Sequence, residues 1–282
     1  MKAGFNLLLW CTTIGEAELK RCERLAEMGW DGVEVPVFEG DEASHRALGR
    51  RLDEMGLART TVGIVSAEGA DPLSDDAGAR QKGIDHFRWL ADCSLALGAE
   101  TLCGPLTQPL GEFSGQGATD AEWDRLVEAS VALADHTRGT GLTVAVEPLN
   151  RFECYALNTC EQAARLVEAV GQDHYGYLFD SFHANIEEKD PAAAVRHVAG
   201  TGTLRHVHVS ENDRSTPGEG QVRWGETFAA LKEVGYDGWL VIEAFGLAMP
   251  ELAEPTKIWR RMYPSEEHLA VEGLKFMRAG ME

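Results

Sequence analysis

The chain has 282 residues, of which 44% are hydrophobic and 26% are charged, and its formal net charge is -20. This length fits one large α/β barrel or two ordinary domains, and the composition is that of a globular protein. The excess of 46 acidic over 26 basic residues argues against a nucleic-acid partner, because binding to phosphates requires a basic surface.

The six cysteines are scattered along the chain without a C-x-x-C pair, so a cysteine-type zinc site is not expected. The apolar run from Leu7 to Cys11 is too short for the hydrophobic region of a signal peptide. No run approaches the ~20 apolar residues that a membrane helix needs. We therefore expect reduced thiols, a cytoplasmic location and no membrane partner.

Hydrophobic periodicity and turn residues predict strands that alternate with helices along the whole chain. The predicted strands span residues 3–10, 31–36, 58–65, 101–104, 142–147, 175–180, 204–210 and 239–243. The predicted helices span residues 16–29, 41–56, 77–97, 120–139, 190–199, 224–234 and 265–279, with one more that is capped by Asn158 or Thr159 and runs to residue 170. Such alternation implies a parallel sheet with right-handed crossovers.

Eight strand–helix units of this size predict a (β/α)8 TIM barrel, with one domain over residues 1–282. A doubly wound open sheet is the alternative, but it normally has fewer strands, and no G-x-G-x-x-G follows a predicted strand. Residues 105–119, 211–223 and 245–264 are predicted to be irregular connections. The first is rich in Gly and Pro and long enough to suggest a function.

Polar residues stand at the ends of four consecutive predicted strands: Glu147, Asp180, His208 and Glu243. A closed barrel delivers them to one rim, the C-terminal rim where barrel enzymes carry their active sites. Three acids and one imidazole favour a divalent ion such as Mn²⁺, Mg²⁺ or Co²⁺, with zinc as a further option. The alternative is a buried ion-pair network, which would need more positive charge than nearby residues supply.

Other polar residues could contribute to the same rim. His183 lies just beyond the sixth predicted strand and could face the pocket, whereas Arg214 is either a cation in the acidic rim or an exposed arginine. His206 is expected in the core or behind the metal ligands, and Glu34 could be a ligand, a neighbour of one, or an inward-facing acid. The remaining histidines are expected at the surface: His45, His86, His136, His174, His197 and His268.

These motifs resemble those of the xylose-isomerase-like TIM-barrel superfamily and, within it, those of the ketose 3-epimerases that act on D-tagatose, D-psicose or L-ribulose. The resemblance rests on five segments: EPLNRFE at 147–153, DSFH at 180–183, HVHVSENDR at 206–214, PGEG at 217–220 and IEAF at 242–245. They lie in the second half of the chain in the order typical of that family, and the barrel pattern covers nearly all of the chain.

The resemblance implies that the metal is held by the four strand-end residues, Glu147, Asp180, His208 and Glu243. It implies Mn²⁺, with Co²⁺ or Mg²⁺ as alternatives, and it makes Glu147 and Glu243 the catalytic pair. It also implies hydrogen bonds to the sugar from three further residues, Glu153, His183 and Arg214. The expected reaction inverts C3 of a free ketohexose or ketopentose through a cis-enediolate, in a homodimer or homotetramer. The first strand departs from the tyrosine-rich version of that family, so the preferred ketose is not predicted.

Three alternatives stay open at this point. An aldose–ketose isomerase, a hydroxypyruvate isomerase or an inosose dehydratase or isomerase would share the metal and the base, and an aldose–ketose isomerase would move the proton between C1 and C2. A metal-dependent endonuclease for abasic DNA would need more zinc ligands and a cationic face, which the net charge of -20 opposes. A non-catalytic sugar-binding barrel would keep its function in a Glu147→Gln variant.

Overall fold

Eight parallel strands form a closed barrel in chain order in the computed structural model, which describes residues 1–199 and 203–282. The strands are β1 (Lys2–Asn6), β2 (Gly32–Pro36), β3 (Ala58–Val62), β4 (Thr101–Gly104), β5 (Thr143–Val146), β6 (Tyr175–Asp180), β7 (Leu204–Val209) and β8 (Trp239–Ile242). β8 pairs with β1 and closes the sheet. The predicted (β/α)8 barrel and its single domain are confirmed.

Helices connect the strands on the outside of the barrel. They are α1 (Glu16–Met28), α2 (Glu42–Glu54), α3 (Ala77–Leu97), α4 (Asp120–Thr137), α5 (Cys160–Val170), α6 (Ser181–Glu187), α7 (Pro191–Ala199), α8 (Trp224–Glu233), α9 (Pro250–Ala253) and α10 (Glu266–Met281). The side chains of Asp76, Thr119 and Thr159 accept hydrogen bonds from the first turns of α3, α4 and α5. α1 ends at Gly29 in the left-handed conformation that favours glycine.

At three places the structure contains a helix that the sequence did not predict. The predicted first strand, residues 3–10, is wrong after Asn6, because Leu7–Leu9 form a 3₁₀ helix that begins with a hydrogen bond from the backbone of Leu8 to the Asn6 side chain. The sequence did not predict α6, which follows β6 without a loop. Within the predicted irregular connection of residues 245–264, the structure also contains the short helix α9.

The main hydrophobic core lies between the barrel and its helices and includes Phe5, Leu90 and Tyr177. A smaller apolar cluster lies inside the barrel and under its C-terminal loops; it consists of Leu8, Val62, Cys103, Ala145, Leu178, Phe245 and Ile258. All six cysteines are free and buried. Among the described residues, no helix has the length and hydrophobicity to cross a membrane.

Two histidines that were expected at the surface are buried instead. His45 is 7% exposed and His86 is 8% exposed. The reason is that each ring finds a backbone carbonyl: His45 Nδ1 lies 2.8 Å from the oxygen of Asp41, and His86 Nε2 lies 2.8 Å from that of Ile64. Burial also lowers the pKa of His86. Both rings therefore belong to the packing between helices and loops.

Candidate metal centre and active site

The four polar strand-end residues meet at the C-terminal end of the barrel. His208 Nδ1 lies 3.7 Å from Glu147 Oε1. The same nitrogen lies 3.6 Å from Asp180 Oδ2 and 3.6 Å from Glu243 Oε1. One ligand atom from each of the four residues lies within 4.8 Å of the other three, and all four residues are buried. The structure thus brings together the set that the sequence predicted as metal ligands.

Strand register explains this convergence. Asp180 is paired with His208 across β6 and β7, and Val209 is paired with Ile242 across β7 and β8. Glu243 therefore follows directly beside the end of β7. Because neighbouring parallel strands end at the same edge, residues far apart in the chain reach one point.

Two atoms in this set are buried without a hydrogen-bond partner in the described part of the chain: Glu147 Oε1 and His208 Nδ1. Leaving a buried polar atom unpaired costs about 1–3 kcal/mol. Two ligands bound ~2.1 Å from one ion stand about 3.0 Å apart at right angles and about 4.2 Å apart on opposite sides. The observed separations of 3.6–3.7 Å lie in this interval, so the residues fit a small divalent ion.

Arg214 is buried beside these acids, which decides between the two positions that the sequence left open. Its Nη1 donates to Asp180 Oδ2 at 3.1 Å and to Glu243 Oε2 at 2.8 Å. The guanidinium lies 3.9 Å from the centre of the Phe182 ring. Its backbone has a φ of 61°, in the left-handed region, and its carbonyl accepts from the backbone of Phe245. Arg214 thus supplies one positive charge to the acidic rim.

The acids of the site have different environments. Burial, with the nearby charges of Glu243 and Asp180, raises the pKa of Glu147 to about 8. Burial alone would raise the pKa of Asp180 as well, but the Arg214 guanidinium, with His183, holds it below its usual range. Burial would lower the pKa of His208, but the carboxylates of Glu34 and Glu243 raise it well above its usual value. Glu147 thus differs from Asp180, whose Oδ2 has Arg214 as a direct cationic partner.

His183 and Glu153 lie next to this centre and are connected through Asn150. The backbone N–H of Asn150 donates to His183 Nδ1 at 3.1 Å, and its side-chain amide donates to Glu153 Oε1 at 2.7 Å. Burial lowers the pKa of His183, which favours the neutral ring, and its Nε2 faces the acidic set. That nitrogen lies 3.7 Å from Glu147 Oε1 and 3.0 Å from a guanidinium nitrogen of Arg214. All three predicted sugar-binding residues therefore adjoin the acidic set.

Asp180 uses its two oxygens for different purposes. Oδ1 accepts the backbone N–H groups of Phe182 and His183 and so caps α6, while Oδ2 faces Arg214 and His208. Ser210 adds a hydroxyl 2.9 Å from Oδ2. The sequence alone did not indicate a role for Ser210, Asn150 or Asn6, although Asn6 also stands at the end of an apolar strand.

Exposed apolar side chains surround the same end of the barrel. The large ones among the described residues are Leu110, Phe113, Phe152, Leu247 and Trp259. They lie on the connections that follow β4, β5 and β8. Three other aromatic residues, Trp224, Trp239 and Tyr263, are buried.

The chain belongs to the xylose isomerase-like TIM barrel family, whose model matches residues 22–280. It is 33% identical to a probable ketose 3-epimerase of Synechocystis sp., over 99% of this chain and 96% of that protein. It is 30% identical to a ketose 3-epimerase of Arthrobacter globiformis, over 99% of this chain and 96% of that protein. The solved structure of a D-allulose 3-epimerase from Methylomonas sp. in complex with D-allulose matches with a TM-score of 0.91 and 27% identity, over 99% of this chain and 96% of that one. The predicted resemblance and the enzyme class, an isomerase, are confirmed by these relatives.

Proposed function

We propose that this protein is a divalent-metal-dependent ketose 3-epimerase, which inverts C3 of free ketohexoses or ketopentoses. The main support is the buried set of three acids and one imidazole, in which Glu147 Oε1 and His208 Nδ1 face a common centre without hydrogen-bond partners among the residues that the structure describes. The similarity to ketose 3-epimerases over nearly the whole chain indicates the reaction.

In this proposal the ion is held by Glu147, Asp180, His208 and Glu243. The mainly carboxylate set favours Mn²⁺, with Co²⁺ or Mg²⁺ as alternatives. When bound, the ion supplies Lewis-acid stabilisation of the negative charge that develops on the ketose oxygens.

Glu147 and Glu243 move the C3 proton in this proposal. One carboxylate removes the proton from one face of the sugar, and the other returns a proton from the opposite face through a cis-enediolate. The two side chains come from different strands, which suits attack from two sides. Asn6 and Arg214 hold the oxygens of Glu243 at 3.0 and 2.8 Å, which fixes its carboxylate. Positioned proton transfer contributes about 10²–10⁴-fold to the rate.

The sugar is oriented by His183, Arg214 and Glu153. The guanidinium of Arg214 points at the acidic set and is placed to donate to the sugar oxygens near the carbonyl. His183 Nε2 lies beside it, 3.0 Å from a guanidinium nitrogen. Glu153 accepts a hydrogen bond from the side-chain amide of Asn150. The same amide contacts His183 Nδ1 and so fixes the orientation of the imidazole ring. We propose free rather than phosphorylated sugars, because no dedicated phosphate-binding motif occurs in the sequence.

Proton exchange tests this function. The Mn²⁺-loaded protein is incubated in D₂O with D-psicose, D-fructose, D-tagatose and L-ribulose, and deuterium is followed by NMR. We expect label at C3 together with the C3 epimer. Label at C1 with an aldose product would assign an aldose–ketose isomerase instead, and no exchange with any sugar would overturn the proposal.

The Glu147→Gln variant supplies the matched test of the catalytic role. We expect exchange at C3 to fall by at least about 10²-fold, because an amide cannot accept the proton. Glu128→Gln, at an exposed position on α4, changes the same functional group away from the site and is expected to keep full exchange. Equal exchange in Glu147→Gln and wild type would exclude Glu147 as a proton carrier.

The homodimer or homotetramer stays a prediction, which light scattering of the purified protein would test.

A further inference from the structure

A second buried polar set lies behind the proposed metal ligands and comes from the other half of the barrel. Its centre is Glu34 of β2, which is 0% exposed and contacts both His206 and His208. Glu34 Oε1 lies 2.7 Å from His208 Nε2, and Oε2 lies 2.8 Å from His206 Nε2. The separation from His208 is that of a hydrogen bond, whereas His206 Nε2 has no hydrogen-bond partner among the described residues despite the short distance. We therefore treat Glu34 as a hydrogen-bond partner of His208 and not as the ligand of a second ion.

The Glu34 carboxylate is anchored by donors from neighbouring strands. Oε1 accepts from Asn6 Nδ2 at 3.0 Å as well as from His208. Oε2 accepts from Thr60 Oγ1 at 2.8 Å and from Cys103 Sγ at 3.2 Å. Because both oxygens accept hydrogen bonds, the Glu34 carboxylate is held in one orientation. The His208 ring is thereby oriented as well, with Nε2 donating to Glu34 and Nδ1 facing the acids.

Asn6 connects this carboxylate to a second proposed ligand. Its amide oxygen accepts the backbone N–H of Leu8 at 2.8 Å, which determines which way the amide faces. Its NH₂ group then donates to Glu34 Oε1 and to Glu243 Oε1, both at 3.0 Å. Since Glu243 Oε1 is the oxygen nearest His208 Nδ1, Asn6 contacts an atom of the acidic set directly.

We propose that Asn6 and Glu34 are positioning residues that orient His208 and Glu243 for the metal ion. This inference rests on the proposed function, because it concerns the ligands of the proposed ion. A carboxylate that accepts the second ring N–H of a ligand histidine fixes the ring and increases its basicity, and its loss typically weakens metal binding by about 10–100-fold. Asn6 extends the same support to a carboxylate ligand.

Calorimetric titration of chelator-stripped protein with Mn²⁺, in the absence of sugar, tests the inference. We expect the Kd of Glu34→Gln to rise by about 10–100-fold over that of wild type, because an amide offers one acceptor where the carboxylate offered two. Asn6→Ala is expected to raise the Kd in the same direction. An unchanged Kd in Glu34→Gln, with tight binding in wild type, would overturn the inference and leave the proposed function standing. No binding in wild type would instead overturn the proposed metal site.

Thr61→Val is the matched control for a purely structural effect. Thr61 neighbours Thr60 on β3, and its hydroxyl lies 2.7 Å from Ser94 Oγ, away from the site. This isosteric change removes a buried hydrogen bond without touching Glu34, so the Kd for Mn²⁺ is expected to stay within about threefold of wild type while the melting temperature falls. A rise in Kd equal to that of Glu34→Gln would mean that general destabilisation weakens binding, and it would overturn the positioning role.

A second measurement needs no variant. In wild-type protein loaded with Mg²⁺, two-bond ¹H–¹⁵N correlation spectra of the imidazoles report which ring nitrogen of His208 carries the proton. We expect the proton on Nε2 alone. A proton on Nδ1, or an unprotonated Nε2, would contradict the orientation that Glu34 is proposed to impose.

Discussion

A single buried carboxylate, that of Glu211, organises the loop that carries Arg214. Its two oxygens accept N–H groups from the backbones of Asn212, Gly218, Gln221 and Val222 and from the indole of Trp224. The bonds close the segment 211–223 on itself and place Arg214 at the acidic rim. The sequence showed Glu211 only as part of a motif, with no role.

Glu211→Gln is expected to reduce the free energy of unfolding by about 2–3 kcal/mol. The amide keeps the shape of the side chain but turns an acceptor into a donor, which then faces N–H groups, and hydrogen bonds to a charged group contribute about 1.5–3 kcal/mol. Denaturant titration measures the change. Glu219→Gln, at a position in the same loop whose side chain is 46% exposed, is expected to stay within about 0.5 kcal/mol. Equal stabilities of both variants would contradict the role of Glu211.

At this scale, the sequence predicts the candidate site residues that end strands and offers Glu34 as one possible neighbour of a ligand, but it misses Asn6. Glu147 and Asp180 stand out because an acid that ends an apolar strand is unusual. Asn6 and Glu243 are 237 positions apart in the chain, and their hydrogen bond depends on the closure of β8 onto β1. A contact of that kind has no local pattern in the sequence.

At the scale of elements, the start of β2 requires the absence of a side chain. Gly32 pairs with Gly4 on one side and with Ala58 on the other. A Cβ at Gly32 would lie 2.2 Å from the carbonyl oxygen of Ala58 and 2.6 Å from the Trp239 ring. Backbone and a buried indole cannot both move away, so the closure of the barrel depends on this glycine.

Gly32→Ala is therefore expected to destabilise the protein by about 1–3 kcal/mol, the usual cost of overpacking. Thermal and denaturant unfolding measure the effect. Gly225→Ala, in the exposed first turn of α8 where a Cβ meets nothing within 4 Å, is the matched control. It is expected to leave stability unchanged or to raise it by up to ~1 kcal/mol, since alanine favours helix. A Gly32→Ala variant as stable as wild type would show that the strands can separate locally.

Strands and helices with periodic patterns or turn residues at their ends were predicted well, including the four-residue strand β4, whereas α6 and the 3₁₀ helix Leu7–Leu9 were not. α6 has only seven residues, and its start depends on the cap from Asp180, whose side chain the sequence analysis assigned to metal binding alone. Leu7–Leu9 continue an apolar run and resemble a strand, but the Asn6 side chain turns them into a 3₁₀ helix. In both cases hydrogen bonds to a single side chain decide the local structure, and periodicity does not report them.

For the whole molecule, the acidic centre is a source of instability that an ion would relieve. Glu147, Asp180 and Glu243 are buried together, with Arg214 as the cation in direct contact. An ion that binds only the folded state stabilises it by about 2.7 kcal/mol at a concentration 100 times its Kd. We expect Mn²⁺ to raise the melting temperature of chelator-stripped protein and EDTA to reverse the rise. Glu147→Gln, which loses one ligand charge, is expected to need more Mn²⁺ for the same shift, and the absence of any shift in wild type would contradict the proposed metal site.

The origin of the site in two halves of the barrel has a consequence for engineering. The four proposed ligands come from β5 to β8, whereas Asn6, Glu34 and Thr60 come from β1 to β3. The exposed turn at residues 139–141 separates the two halves of the chain. A gene divided at this turn would produce one polypeptide with every ligand and another with most of the hydrogen-bond donors and acceptors behind them. Metal affinity would then report the reassembly of the two fragments, as a split reporter does.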